Sequence, residues 1–291
     1  MLSAMQCDLC GTKMTSGLRN WHWTCRTCGL ERSSLKPHIN DANLMDESER
    51  ASALHDLREQ NFATLLTWLY RQYPPDFPRM PRLLEVGCAH GWFMEQAQLG
   101  HHVLGIEPDI AIAAMAAAKG LNVRQGFFPE ALDEDDVFDT IVFNDVLEHI
   151  PDVRAVMSLC HARLTSGGYL VINAPNNSGI FYRAAKWLTR LGRSQSFDRM
   201  WQLGLPSPHL YYFNTRAVDQ LAQITGFVMQ SSCHLPAIQT QGLVERIHYT
   251  GGTSKFKARA MATCIAALMP IVSASSPDIR VWLLKKKEAA Q

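Results

Sequence analysis

Two pairs of cysteines near the N-terminus have the spacing of a metal site. Cys7 and Cys10 enclose two residues, as do Cys25 and Cys28, and a glycine follows the second cysteine of each pair. Fourteen residues separate Cys10 from Cys25, close to the gap of a zinc ribbon. Four thiolates form the ligand set of a closed, structural Zn²⁺ site, and so small a module depends on its metal to fold. The spacing therefore predicts structural zinc with no catalytic role.

Cysteine usage elsewhere in the chain favours thiolates over the alternative of disulfides. The other four cysteines are scattered, and no signal peptide is evident, so we expect a reducing, cytoplasmic compartment. The apolar run Met261–Val272 is too short to span a bilayer and is expected to form a packed helix, with a membrane-surface helix as the alternative. The net charge of +1 gives no global attraction to nucleic acid.

The stretch of residues 83–91 has the form of a buried strand that breaks into a tight turn. Apolar residues flank Glu85, and two glycines close the turn. In open α/β sheets, ligands bind at the carboxyl ends of the strands, where glycine allows a ligand close to the backbone. A second apolar run, 102–106, ends at Glu107, 20 residues after Gly87, which suits a hydrogen bond to ribose hydroxyls. This order predicts a nucleoside-binding unit.

Three further apolar runs continue the pattern of parallel strands. They are Asn122–Phe127, Phe138–Phe143 and Gly168–Asn173, and the second leads into Asn144 and Asp145. A dinucleotide-binding domain is the competing interpretation, but its Gly-x-Gly-x-x-Gly pattern is absent. The chain therefore lacks the sequence signal of a pyrophosphate cradle.

Taken together, these motifs resemble the class I S-adenosylmethionine (SAM) methyltransferases, and within them the small-molecule branch that includes ubiquinone-type and sugar methyltransferases. In that family the first motif reads acidic-x-Gly-Cys-Gly-x-Gly, which residues 85–91 match except that Ala89 replaces the middle glycine. The Leu-Glu-His element after the fourth strand is matched by Leu147–His149. The late His-Leu-x-x-Phe element is matched by His209–Phe213, before a helix that ends in Gly226–Phe227.

The resemblance covers about residues 80 to 230, and it implies an α/β fold with a SAM cofactor. We expect a Rossmann-like, seven-stranded class I methyltransferase sheet flanked by helices, plus the small N-terminal zinc ribbon. Alanine tolerates positive φ poorly, so Ala89 predicts a changed loop around the methionine moiety. The cofactor-binding residues that the resemblance implies are Glu85, Gly87, Cys88, Ala89, His90, Gly91, Glu107, Pro108, Gly126, Phe127, Asn144 and Asp145.

The chain is long enough for one α/β domain with an appendage. We predict a four-cysteine module over residues 1–40 and the methyltransferase domain over 41–291, with a lid-like insertion around 175–210. Aromatic residues mixed with arginines and prolines in this insertion fit either a mobile lid or a static helical hairpin. Residues 46 to about 72 read as one helix, because leucines recur at helical spacing.

His149 and His209 are the candidate catalytic residues. Methyl transfer to a hydroxyl benefits from a general base, and histidine has a pKa suited to that work. His149 follows the fourth strand, where the resemblance places the methyl group, whereas His209 ends the insertion. Either histidine could instead serve to fix loop geometry.

Three functions remain open at this point. The first is O-methylation of a small molecule, glycan or sugar. The second is methylation of an RNA base with the zinc module as RNA reader, since Arg19, Trp21 and Trp23 could stack on bases. The alternative, which we favour, is that the two tryptophans cover the zinc and pack against the main domain. The third is a SAM-binding scaffold without catalysis, in which Ala89 marks a decayed loop. The sequence predicts neither the acceptor atom nor the oligomeric state.

Overall fold

The computed structural model describes residues 5–37, 47–238, 243–244, 247 and 254–288. Within these ranges the strands are β1 Thr15–Ser16, β2 His22–Thr24, β3 Glu31–Ser33, β4 Arg82–Val86, β5 His102–Glu107, β6 Val123–Gln125, β7 Phe138–Asn144, β8 Leu164–Pro175, β9 Tyr211–Tyr212, β10 Phe227–Leu235 and β11 Ile279–Lys286. The helices are α1 Glu47–Tyr70, α2 Trp92–Ala97, α3 Ile110–Ala118, α4 Val153–Arg163, α5 Ile180–Arg190, α6 Gln195–Met200, α7 Thr215–Ile224 and α8 Lys255–Ser273, with a 3-10 helix at Leu147–His149.

A seven-stranded sheet forms the centre of the fold, in the order β10-β11-β8-β7-β4-β5-β6. Strands β4 to β8 pair in parallel, and β11 runs antiparallel between β8 and β10. The chain order reverses at β4, which lies between β5 and β7. Ligands of open α/β sheets bind at such a switch point, outside the carboxyl ends of the strands. The predicted seven-stranded, Rossmann-like fold is confirmed.

The central strands are apolar on both faces because helices cover the sheet on each side. Ile141, Leu170 and Ile172 lie in the core cluster on one face, while Val142 and Val171 lie in the cluster on the other. Such continuous hydrophobic runs are typical of parallel strands that are buried on both faces. The burial holds the carboxyl ends of β4, β5, β7 and β8 rigidly beside one another.

Helix α1 covers the face of the sheet that contains Val142 and Val171. It occupies Glu47–Tyr70, close to the predicted span, and its Leu65 and Leu69 are fully buried. Phe62 packs edge-on against Phe93 of α2, with ring centroids 5.5 Å apart. Asp46, the first residue of the predicted span, lies outside the described residues.

A second, four-stranded sheet joins the N-terminal segment to the rest of the chain. Its order is β1-β2-β3-β9, and β9 comes from the long connection after α6. Glu31 pairs with Tyr212, and Arg32 pairs with Tyr211, in an antiparallel register. The four-cysteine segment therefore shares its sheet with residues that lie close to the candidate site.

The acidic run 133–136 and the apolar run of helix α8 differ from what the sequence predicts for them. The acidic run 133–136 reads as a solvated loop, yet Asp136 is buried and forms ion pairs with Arg82 and Arg124. Helix α8 contains the apolar run, but Met261 is 48% exposed and Cys264 is also exposed, so the run is less packed than predicted. Over the ranges given above, the structure has no helix that is long and apolar enough to cross a membrane.

Candidate active site and metal centre

The loop after β4 turns through three residues in the left-handed region. Gly87, Ala89 and Gly91 have φ values of 71°, 46° and 77°. A Cβ on Gly87 would lie 2.6 Å from the Val146 side chain, so glycine is required there for space as well as conformation. Ala89 keeps the left-handed conformation despite its Cβ, at a cost of roughly 1–2 kcal/mol. Ala89 is therefore a strained position within this loop.

Glu107 at the end of β5 offsets this strain with two hydrogen bonds. Its buried carboxylate accepts from the backbone N–H of Ala89 at 2.9 Å and from that of Asp109 at 2.9 Å. Gly126 donates its N–H to the Glu107 carbonyl at 3.0 Å. The Glu107 side chain thus ties the glycine loop to the end of β5, and the Glu107 backbone carbonyl ties the end of β5 to the segment after β6. This brings together three of the positions that the sequence predicts for the cofactor.

Glu85 and Asn144 form a buried polar pair across β4 and β7. Asn144 donates Nδ2–H to Glu85 Oε1 at 2.9 Å, and Asn173 of β8 donates to Asn144 Oδ1 at 3.4 Å. Among the described residues, Glu85 Oε2 is buried with no hydrogen-bond partner. A buried acceptor without a donor is costly, which makes it the natural partner of a ligand ammonium group. The site thus fits the amino group of a methionine moiety.

Burial raises the pKa of Glu85 to about 8, against an ordinary value near 4.5. The unfolded chain loses this proton at lower pH than the folded protein does, so the stability of the ligand-free protein should fall as pH rises from about 4.5 to 8. We expect Glu85→Gln, which mimics the protonated acid, to flatten that slope. Urea unfolding between pH 5 and 8.5 measures it. An equal slope in both proteins would contradict the assignment.

The remaining residues predicted to bind the cofactor differ in their burial and in their contacts. Asp145 adopts a φ of 54° and donates its N–H to the Asn173 carbonyl at 2.9 Å, while Pro108 accepts a hydrogen bond from Gln125. Cys88 is buried, and the His90 ring stacks on Trp92 at 5.1 Å. The Phe127 side chain is 53% exposed at the end of β6. It therefore lies at the rim of the candidate site.

The two candidate catalytic histidines lie close together, although 59 residues separate them in the sequence. The ring centroids of His149 and His209 lie 4.8 Å apart. Each has its Nε2 atom 4.0 Å from Oε1 of Glu148, whose carboxyl is completely buried. Burial, reinforced by the charge of Asp145, holds the pKa of Glu148 well above its ordinary value. The sequence motif contains Glu148, but only the fold shows that it lies between the two imidazoles.

The four predicted metal ligands also converge. Their sulfur atoms all lie within 4.8 Å of one another. Cys7 Sγ is 3.5 Å from Cys28 Sγ, Cys10 Sγ is 3.4 Å from Cys25 Sγ, and all four thiols are free. Zn–S bonds of about 2.3 Å in a tetrahedron require sulfurs about 3.8 Å apart. The cluster therefore has the ligand type and the size that Zn²⁺ requires.

Two turns with the same backbone hydrogen bond hold the cysteine pairs in place. Gly11 donates its N–H to the Cys7 carbonyl at 2.9 Å, and Gly29 donates to the Cys25 carbonyl at 3.0 Å. Both glycines have positive φ, of 70° and 78°. The glycine that follows each cysteine pair thus closes a knuckle turn that a residue with a Cβ would strain.

The chain was then compared with known proteins. A family model described as "Methyltransferase domain" matches residues 53–232, which is more than half of the chain. The chain belongs to this methyltransferase family. Residues 53–232 therefore form a methyltransferase domain, in agreement with the resemblance of the sequence motifs to class I SAM-dependent methyltransferases.

Similar proteins include ubiquinone biosynthesis O-methyltransferases. The one from Bradyrhizobium sp. (strain ORS 278) is 34% identical over 104 residues, which cover 33% of this chain and 41% of that protein. The mitochondrial one from Mus musculus is 27% identical over 152 residues, covering 47% and 41%. The chain thus spans less than two thirds of the length of these relatives.

Solved structures share the fold at low identity. A SAM-dependent methyltransferase from Thermotoga maritima superposes with a TM-score of 0.51 at 15% identity, covering 83% of this chain and 95% of that one. Phosphoethanolamine N-methyltransferase 2 from Haemonchus contortus gives 0.51 at 17% identity, covering 78% and 53%. Likeness at this identity supports the fold alone.

Proposed function

We propose that this methyltransferase transfers a methyl group to a hydroxyl oxygen of a small-molecule or glycan acceptor. The observation that carries the proposal is the pair of imidazoles, His149 and His209, whose ring centroids lie 4.8 Å apart. His149 ends the 3-10 helix that follows β7. A hydroxyl nucleophile loses its proton as it gains the methyl group, and imidazole accepts such a proton near neutral pH. The O-methyltransferase names of the relatives support the same class of acceptor.

The donor site in this proposal consists of the loop and strand ends around β4. SAM supplies a methyl group on a cationic sulfur that leaves as a neutral thioether. Glu85 would accept from the ligand's ammonium group, and Glu107 would accept from the ribose hydroxyls. The backbone of residues 87–91 would contact the methionine portion, and residues 126–127 would border the adenine. Together these groups position the methyl carbon, which is a large part of catalysis when the leaving group is already activated.

His149 is better arranged than His209 to act as the base. Its Nδ1 lies 3.1 Å from the Pro208 carbonyl and 3.1 Å from the Ser207 hydroxyl. Because the carbonyl can only accept, this proposal assigns the proton to Nδ1 and the lone pair to Nε2. His209 Nε2 lies 2.9 Å from the amide nitrogen of Gln202, which donates to it. In this proposal His149 takes the hydroxyl proton, and His209 orients the acceptor.

The proposal includes one structural Zn²⁺ held by Cys7, Cys10, Cys25 and Cys28. The sulfur separations support it, and the Thr12 hydroxyl lies 3.0 Å from Cys10 Sγ and 3.3 Å from Cys25 Sγ. Four thiolates leave no open coordination position, so the ion would stabilise the module without touching the reaction.

The contacts of the module give no support to the alternative of RNA base methylation. Arg19 forms an ion pair with Asp198 at 2.9 Å, and the Trp21 ring stacks on Phe197 with centroids 6.0 Å apart. Two of the three side chains that could read RNA bases, Arg19 and Trp21, are therefore used in packing against α6.

Replacing His149 with alanine should lower kcat by roughly 10²–10⁴-fold, because the hydroxyl proton loses its acceptor. The assay follows S-adenosylhomocysteine release across panels of sugar nucleotides, glycans and phenols. SAM binding should change less than twofold, and the exposed His102→Ala serves as control. SAM binding without turnover of any acceptor in the panels would overturn the proposed function.

A further inference from the structure

Strand β3 lies between the four-cysteine module and the residues around the histidine pair. Its backbone continues directly from the second knuckle, and Ser33 donates its N–H to the Leu210 carbonyl at 2.8 Å. Ser33 Oγ donates to the His209 carbonyl at 2.8 Å, and Leu210 N–H donates to the Glu148 carbonyl at 2.7 Å. The backbone of His209 is thereby held between the module and the 3-10 helix that contains His149.

The Glu31 side chain ties the same strand to helix α5. Its carboxylate accepts from His22 Nε2 at 2.7 Å, from the Tyr182 hydroxyl at 2.8 Å and from Lys186 Nζ at 2.7 Å. Burial would raise the pKa of Glu31, but the hydrogen bond from His22 and the charge of Lys186 outweigh it and lower the pKa. A buried carboxylate with three donors fixes the positions of all three.

Further contacts hold the insertion and the second knuckle in place. The indole of Trp201 donates to the Tyr182 hydroxyl at 3.2 Å, which links α6 to the Glu31 cluster. The Gly29 carbonyl accepts from Asn177 Nδ2 at 2.8 Å and from Asn214 Nδ2 at 2.9 Å. These contacts favour a static helical wall over a mobile lid.

We propose that Glu31 and Ser33 are positioning residues for methyl transfer: through them the four-cysteine module fixes where His209 and the α5–α6 wall stand at the acceptor side of the site. This inference rests on the proposed function for its catalytic consequence. The donor side is built separately, since the hydrogen bonds of Glu85 and Glu107 given above join β4, β5, β6 and β7. A defect in β3 should consequently affect the acceptor and leave SAM binding intact.

The test uses the full chain with Ser33→Ala and Glu31→Gln, and with Ser34→Ala as matched control because the neighbouring Ser34 is exposed. With an acceptor identified in the panels, we expect Ser33→Ala to lower kcat/KM for the acceptor about tenfold. The SAM Kd from calorimetry should stay within twofold, and zinc content should remain at the wild-type level. Ser34→Ala should behave as wild type. Unchanged kcat/KM in both variants, or a parallel loss of SAM binding, would overturn the proposal.

A second measurement keeps the proposal testable if no acceptor is found and the proposed function fails. NMR titration of the histidine side chains, with the His209 signal assigned by a His209→Gln variant, reports the surroundings of that ring. Glu148 and His149 face it, so a displaced His209 should titrate with a shifted midpoint in Ser33→Ala and Glu31→Gln. An identical midpoint in these variants and the wild type would overturn the positioning role.

Discussion

Replacing Glu107 with alanine is expected to weaken SAM binding at least a hundredfold. In the proposed site its carboxylate accepts from the ribose hydroxyls while it also holds the backbone of Ala89 and Asp109. Each hydrogen bond to a charged group is worth about 1.5–3 kcal/mol. Loss of the two hydrogen bonds from the ribose hydroxyls therefore corresponds to roughly a hundredfold or more in the Kd for SAM. The variant also releases the strained left-handed turn at Ala89. Calorimetric titration with SAM and with S-adenosylhomocysteine measures the effect.

A conservative variant and a control test whether the weaker binding comes from the ligand contact of Glu107 or from its hydrogen bonds to the loop backbone. Glu107→Gln keeps the size of the side chain but presents an amide N–H to one of the two backbone donors, so we expect an intermediate loss. The exposed Glu134→Ala should bind as wild type. Folded Glu107→Ala protein with an unchanged Kd would refute the assignment of this residue to the ribose.

Replacing Cys28 with serine is expected to release the metal and lower the thermal midpoint by roughly 10 °C. Apparent Zn²⁺ affinities of structural sites amount to about 10–16 kcal/mol at pH 7, and the loss of one of four thiolates removes much of that. A loss of a few kcal/mol shifts the midpoint by about 2–4 °C for each kcal/mol in a chain of this size. Circular dichroism during heating, with metal analysis of the same sample, measures both quantities.

The matched control is Cys264→Ser, because Cys264 is exposed on α8. It should retain one zinc per chain and the wild-type midpoint. Wild-type protein purified under reducing conditions with no bound metal would refute the zinc assignment. A metal-free Cys28→Ser variant that unfolds at the wild-type midpoint would show instead that the module does not depend on its ion.

Local sequence patterns predicted the parts of this protein that depend on near neighbours in the chain. A glycine turn after an apolar strand needs only nine residues, and the acidic position of Glu107 follows it at a regular interval. Both features arise from backbone geometry within one β-α-β unit, which is why the predicted fold agrees with the structure. The cysteine pairs are equally local, since each knuckle turn closes through hydrogen bonds within five residues.

The acidic run 133–136 shows that local sequence patterns do not predict contacts made by the folded chain. Four consecutive carboxylates predict a solvated loop, yet Asp136 is buried because Arg82 and Arg124 reach it from β4 and β6. Arg82 lies 54 residues before Asp136 and Arg124 lies 12 residues before it, and no local spacing pattern predicts that the two side chains meet this carboxylate. The long insertion was ambiguous for the same reason, because its aromatic residues pack on Trp21, which lies far from them along the chain.

The sequence alone therefore determined the fold class, the glycine turn after β4 and the identity of the candidate metal ligands. Only the tertiary structure placed Glu148 between His149 and His209, and only it joined Glu31 to Tyr182 and Lys186, which follow 151 and 155 residues later. The physical reason is the range of the interactions. Turns and strands are specified by neighbouring residues, whereas a buried carboxylate is specified by whichever donors the folded sheet and helices bring within hydrogen-bonding distance.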